Sequence, residues 1–304
     1  MLYMLIAVIG GLANPMQSGV NGRLRRKIGH PLYTAVLTFA TAPFILFALM
    51  ILTGTELKLN VSRLFSEPFW VWAGGIIGVF FVTLNMPILQ RLGGVQAMVL
   101  PAFGQIVGGL IIDHFGLLGA NRIPLSLTRA VGAVLVVCGL ILVTRSRVSG
   151  EKKAGGNLMW QVMGILLGMG TSVQTAANGY VGKIVESPFR ASIINFLVGL
   201  TLILIICCVK FVRDGRKFPF TKEKAPWWSW LGGACGVVFI TANAAMSSRI
   251  GTGMTLVCSQ VGIMLGGILI DQFGLFGNQK RPATAMKILG VVLMIAGAVV
   301  IRLL

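Results

Sequence analysis

The sequence predicts an all-α polytopic membrane protein whose ten transmembrane helices form two inverted five-helix repeats. Three observations carry that prediction: a greasy composition, ten apolar runs of bilayer length, and a set of motifs that returns after 157 or 158 residues. Of 304 residues, 56% are hydrophobic and 11% charged, with mean hydropathy +0.87. Soluble domains carry about 25% charged residues, so most of this surface has to face lipid. A helix crosses the hydrocarbon core in roughly 20 residues, and runs of that size lie at 2–22, 32–53, 69–90, 95–114, 124–144, 158–180, 189–212, 227–248, 253–272 and 283–301.

Each span has its own start and stop signals. The opening "MLYMLIAVIGGLANP" has no basic leader region and reads as span one, ended by "RLRRK" at 23–27. Pro31 opens span two, and Pro68 with Trp70 and Trp72 opens span three at an interface where tryptophans anchor helices. Span four ends on "DHFG" at 113–116, and Pro124 opens span five. A charged linker at 148–157 separates a first repeat, 1–147, from a second, 158–304. There Pro188, Pro226 with Trp228 and Trp230, the "DQFG" at 271–274, and Pro282 mark the same boundaries again.

The repeat is legible residue by residue. At an offset of 157, "GLANPMQSGVNG" at 11–22 falls on "GMGTSVQTAANG" at 168–179, and Pro31 and Phe39 fall on Pro188 and Phe196. At 158, "PFWVWAGGIIGVFFVTLN" at 68–85 falls on "PWWSWLGGACGVVFITAN" at 226–243, and "GGLIIDHFGLLG" at 108–119 falls on "GGILIDQFGLFG" at 266–277. Five spans is an odd number, so a second copy enters the membrane from the opposite side. Inverted repeats of this kind are a secondary-transporter design, with the substrate near the midplane between the repeats.

These duplicated motifs resemble the drug/metabolite transporter superfamily, and the "NPMQSGVNG" opening with the paired aspartate blocks is similar to its bacterial YdcZ-type family, whose members occur as fused and as separate five-helix units. The resemblance implies ten helices and transport of a small organic compound. Smaller superfamily members carry a mid-membrane glutamate in their first helix; the first helix here has none, so an exchange mechanism built on it is not carried over.

The net charge of +18 sits in short loops, which sets topology rather than a nucleic-acid face. With alternating spans, 18 of the 26 Lys and Arg residues share one side. The positive-inside rule makes that side cytoplasmic and both termini extracytoplasmic. The five cysteines all lie in apolar spans without CxxC spacing and read as small buried hydrophobes.

Eight amides are candidates for a substrate site: Gln17, Asn21, Asn85, Gln105, Gln174, Asn178, Asn243 and Gln260. An amide in hydrocarbon needs a partner or a watery cavity, so they serve either helix-to-helix bonding or a polar central pocket. Gly74, Gly78, Gly104 and Gly108, with mates Gly232, Gly236, Gly262 and Gly266, make faces on which helices approach closely. Asn14-Pro15 interrupts the backbone bonding of span one only, since its mate is Thr171-Ser172.

Asp113 and Asp271 lie at helix C-termini, where the macrodipole disfavours an acid, so each needs compensation. Arg122, Lys183 and Arg190 are the candidates for Asp113; Lys280, Arg281 and the Arg23–Lys27 cluster are those for Asp271. Asp113, His114 and Asp271 are expected to gate or couple transport, with a static turn as the alternative. Inversion sets the two aspartates about 24 Å apart along the normal, too far for an aspartyl protease dyad.

No phosphate loop, HExxH or GxSxG occurs, so an ATPase, a metalloprotease or a serine hydrolase has no scaffold. The expectation is a secondary transporter in the cell inner membrane that moves a small-molecule substrate, with a proton or other ion as coupling species. It needs no cofactor, metal or nucleic acid. A flippase for lipid-linked substrates, or a non-transporting receptor or assembly partner, are the alternatives.

Overall fold

The computed structural model describes residues 1–56, 61–145, 158–213, 224–277, 280 and 282–303. The linker expected at 148–157, and Arg281, lie outside the described residues. The elements are α1 (Leu2–Ile28), α2 (Pro31–Leu52), the short α3 (Val61–Phe65), α4 (Ala73–Phe115), α5 (Leu127–Arg145), α6 (Leu158–Ile184), α7 (Pro188–Arg213), α8 (Gly232–Ile250), α9 (Thr252–Phe273) and α10 (Ala285–Leu303). The protein is an all-α polytopic membrane protein. Seven stretches of described residues are long and apolar enough to cross a bilayer: Pro31–Leu52, Gln96–Phe115, Leu127–Thr144, Pro188–Arg213, Trp227–Ile250, Thr252–Phe273 and Ala285–Arg302. The expected spans one, three and six fall outside those seven. α1 and α6 carry the amides and cations of the repeat motif, and 69–85 is a shorter apolar helix.

Expected spans three and four form one run of helical residues, α4, of 43 residues. Straight, it would run about 65 Å, twice the hydrocarbon core. It does not run straight, because both arms pack along α6. Gly74 lies against Asn178 while Gly108 lies against Ser172, and a straight helix would hold those glycines about 50 Å apart. The reversal falls between Arg91, whose guanidinium stands 5.7 Å from the Trp160 ring, and Gln96, bonded to Gln161 at 3.3 Å. In the second half α8 and α9 are separate, broken at Gly251 with φ +85° and ψ 159°, a conformation glycine adopts readily.

Packing follows the repeat offsets. α1 lies in a groove of α8 and α9, as α6 lies between the arms of α4. At the deepest crossings a glycine meets a peptide carbonyl: Gly11 against Ser259 and Gly262 against Val8, matched by Gly168 against Pro101 and Gly104 against Ile165. A methyl group at any of these would strike backbone. α5 and α10 run antiparallel, Gly132 against Gly297 and Gly139 against Gly290, and leave Val131, Val134, Ile288 and Val292 exposed for lipid. α2 and α7 also run antiparallel and cross where the Phe39 and Phe196 rings meet edge-on, 5.7 Å apart. Of the cysteines, Cys207 and Cys258 are buried as expected, whereas Cys138 and Cys208 lie exposed on the outside of their helices.

Candidate functional site

The repeated aspartates sit in matched turns. After each, the helix stops at a left-handed glycine, Gly116 (φ 65°) or Gly274 (φ 64°). Leu118 (φ 55°) and Phe276 (φ 60°) then adopt the same left-handed conformation, strained for a residue with a side chain. The neighbours are matched too. His114 Nδ1 accepts from the backbone N–H of Leu125 at 2.9 Å, and Gln272 Oε1 from that of Ala283 at 2.7 Å.

Among the described residues each aspartate pairs with a cation of the following helix. Asp113 is fully buried, and its Oδ2 accepts from Arg129 Nη2 at 2.9 Å, rather than from Arg122, Lys183 or Arg190. Asp271, 20% exposed, is paired with Lys287 at 3.4 Å. Arg281, one of the cations expected at Asp271, lies outside the described residues. Lys183 donates to Gly119 O and Asn121, and Arg190 to Glu56 O and Val185 O. The physical reason is reach. A cation in the first turn of the next helix lies beside the aspartate once the turn folds back, whereas Lys183 and Arg190 are taken up by the carbonyls just named. The signal was present, because Arg129 and Lys287 are themselves 158 residues apart.

Asp113 also reaches the other half of the chain. Its two oxygens accept from the backbone N–H groups of Thr252 (2.7 Å) and Gly253 (2.9 Å), the first turn of α9. Its own helix end disfavours an acid, but the N-terminus of α9 supplies free N–H donors and the positive end of a dipole. Gly251 permits the approach, since a Cβ there would stand 2.8 Å from Asp113 Oδ2. Arg129 Nη1 completes the clamp by donating to Ile123 O at 2.7 Å.

The eight amides are not gathered in one chamber. Gln174 and Asn178 form a buried cluster with Asn195, which the sequence reading missed: Gln174 Nε2 donates to Gly74 O (2.9 Å) and Asn195 Oδ1 (3.3 Å), and Asn178 Nδ2 to Asn195 Oδ1 (3.1 Å). The repeat-related set is half-exposed. Asn21 accepts from Thr38, the mate of Asn195, at 3.0 Å, and the Gln17 amide lies beside Gly236. Asn243 is buried, accepting from Ser259 Oγ at 2.5 Å, and its Nδ2 has no partner among the described residues. Its mate Asn85 is exposed. Gln105 is half-buried and Gln260 buried, and among the described residues neither bonds to either cluster.

Between α6, α8 and α9 a space of about 10 Å³ is bordered by Tyr180, Ser247 and Thr252. Elsewhere, a cleft of about 460 Å³ lies between α2, the first arm of α4 and α7, lined by His30, Pro31, Leu32, Val82, Thr83, Pro87 and Ile206.

The model of the family described as "Putative inner membrane exporter, YdcZ" matches residues 2–142 and again 159–300. This chain belongs to that family. The two matched segments start 157 and end 158 residues apart, the offsets at which the motifs repeat. Among curated proteins, the Inner membrane protein YdcZ of Escherichia coli (strain K12) is 26% identical over 134 residues, 44% of this chain and 88% of that one. A solved crystal structure superposes with a TM-score of 0.68 at 18% identity, over 99% of this chain and 96% of that one, and so shares the fold. The family is one of membrane exporters rather than enzymes, and the chain is a multi-pass inner-membrane protein of the transporter class.

Proposed function

We propose that this protein is a secondary-active transporter that carries a small organic compound across the inner membrane by alternating access between two inverted five-helix repeats. The observation that carries the reading is the Asp113 clamp. A carboxylate of the first repeat holds the first turn of a helix in the second, with Arg129 beside it, whereas Asp271 is paired with Lys287 at a longer distance and is partly exposed; this supports an Asp113 end that is closed and an Asp271 end that is looser. Such a clamp has two states available, because the two donors and the arginine release together. The antiparallel contacts of α5 with α10 and α2 with α7, between helices equivalent under the repeat, support the inversion.

The charge bias of the loops makes the Asp271 end cytoplasmic, so this state faces inward with both termini outside. Asp113 and Asp271 are then the gates of opposite faces. His114 is a turn residue rather than a proton carrier, since Gln272 accepts the same backbone bond without titrating.

The test needs no substrate. Ser18 and Thr175 are repeat mates, one exposed and one buried. With the native cysteines removed, Ser18→Cys is expected to react with a membrane-impermeant maleimide from the cytoplasmic face, and Thr175→Cys to be protected. Adding Arg129→Met should expose Thr175→Cys from the opposite face and protect Ser18→Cys. If Thr175→Cys stays protected with the clamp broken, the aspartates are static anchors and alternating access between these faces is lost as a reading.

A further inference from the structure

Val82, Thr83 and Pro87 of α4 face Leu32 of α2 and Ile206 of α7 across the cleft of about 460 Å³, and His30 stands where α2 begins. The size is that of a ligand pocket, about 300–1,000 Å³, but the walls hold little for a polar solute. Thr83 spends its hydroxyl on its own helix, donating to Val79 O at 2.9 Å. His30 Nδ1 already accepts from the Leu32 N–H at 3.2 Å. At three- and four-residue spacing along the same helix faces come Phe80 and Val209, both exposed, so the cleft opens sideways into lipid.

The cleft is written into the sequence of the first half. In the second half Thr241, the mate of Thr83, donates to Ser192 Oγ at 2.8 Å and ties α8 to α7. The mate of Ser192 is Ala35, which has no hydroxyl to offer. Pro87, which has no N–H to close the helix bond there, stands where the second half has Ala245.

One end of the cleft meets cations. Arg25, Arg26 and Lys27 lie within five residues of His30. α7 runs from Phe196 beside Phe39 to Ile206 in the cleft, and carries Lys210 and Arg213 onward along the same face. The mates of these five cations are Gly182, Lys183, Ile184, Thr53 and Glu56. Where this rim has five positive charges, the other half has one, and an acid.

We propose that this cleft is a binding site for an anionic phospholipid of the bordering leaflet, which lays one acyl chain between α2, α4 and α7 and its phosphate among the cations of the rim. An acyl chain asks nothing polar of the wall. A phosphate group gains about fivefold in affinity for each Lys or Arg near it at the membrane surface. A zwitterionic lipid fits the cleft equally well but loses most of that gain, because its own ammonium is repelled by the same rim. The bound chain fills the place that the Thr241–Ser192 bond fills in the second half, and holds α2 to α4. The site stands apart from the transporter reading, since it needs only a bilayer around the chain.

The test is native mass spectrometry of the purified, delipidated full chain. It is titrated with phosphatidylglycerol and phosphatidylcholine of identical chains, and with glycerol phosphate as a headgroup without chains. One phosphatidylglycerol molecule is expected to be retained at a lower concentration than phosphatidylcholine, and glycerol phosphate not at all. Lys210→Gln with Arg213→Gln should weaken phosphatidylglycerol about 25-fold, at about fivefold for each cation, and leave phosphatidylcholine unchanged. Lys183→Gln, at the opposite end, should change neither. Val82→Trp fills the cleft and should weaken both lipids. Equal retention of the two lipids, or phosphatidylglycerol binding that survives the loss of Lys210 and Arg213, overturns the proposal and leaves only the ordinary lipid belt. Binding unchanged by Val82→Trp, or glycerol phosphate bound as tightly as the lipid, overturns it by placing the ligand outside the cleft.

Discussion

The polar segments of α1 and α6 carry the same motif and live in opposite conditions. From Thr171 to Gly182, α6 is almost wholly buried, with Ser172, Gln174, Thr175 and Asn178 packed on the arms of α4. From Asn14 to Arg25, α1 is half-exposed along most of its length, and Ser18 is open. Gln174 and Asn178 both donate to Asn195, whereas Asn21 accepts from Thr38, the mate of Asn195, and Gln17 has no hydrogen-bond partner among the described residues. Under the proposed alternating access the contrast describes a state of the protein, to which the exchange of Asn195 for Thr38 adds a difference in sequence.

The comparison breaks most readily at the aspartates. Removing one partner of a buried, fully bonded pair typically costs 3–5 kcal/mol, so Asp113→Ala should lower the unfolding midpoint in detergent sharply. Asp271→Ala takes the carboxylate from Lys287, whose side chain is only 2% exposed, and should also cost several kcal/mol. The loss should be less than for Asp113→Ala because Asp271 is itself 20% exposed and Asp113 also holds two backbone N–H groups. Equal losses would mean that the two ends are equally closed.

Where the halves are alike, their mutants should be alike. Gly168→Ala and Gly11→Ala each drive a methyl into a peptide carbonyl. Overpacking of this kind costs about 1–3 kcal/mol, and chemical denaturation should return matching values. A large difference between them would show that one of the two crossings is loose.

The glutamines come next. Gln174→Leu removes the side-chain donor to the Gly74 carbonyl and one of the two donors to Asn195, a loss of about 1–3 kcal/mol. Gln17→Leu takes away no bond and should lie within about 0.5 kcal/mol of wild type. The smallest effect is expected at His114. His114→Gln copies the second half, whose Gln272 accepts the same backbone bond, and its stability at neutral pH, read from the unfolding midpoint, should lie within about 0.5 kcal/mol of wild type. A larger loss would show that the two turns are not interchangeable.

Much of this was legible in the sequence. Composition and period gave the membrane class and the doubling, and the motif "GGLIIDHFGLLG" marked a turn that the structure repeats down to its left-handed leucine. The partners of Asp113 were not legible for two reasons. Its arginine lies sixteen residues on, past a reversal. Its backbone donors lie about 140 residues away, where no side chain advertises them. The amide clusters failed for a related reason: residue type marks a need for hydrogen bonds but not whether another helix has already met it. Asn195 and Thr38 carry the repeat offset and were overlooked because neither belongs to a motif.

The way α1 and α6 are seated has a consequence for the order of synthesis. Ser259 bonds to Ala7 across 252 residues of chain, whereas Ser172 bonds to Gln105 across 67. At about 5–20 residues per second, α6 meets a groove that is already built, while α1 waits roughly 12–50 seconds for its own. During that time the nascent chain must keep Gln17, Asn21 and the Arg23–Lys27 cluster at an interface or beside the insertion machinery.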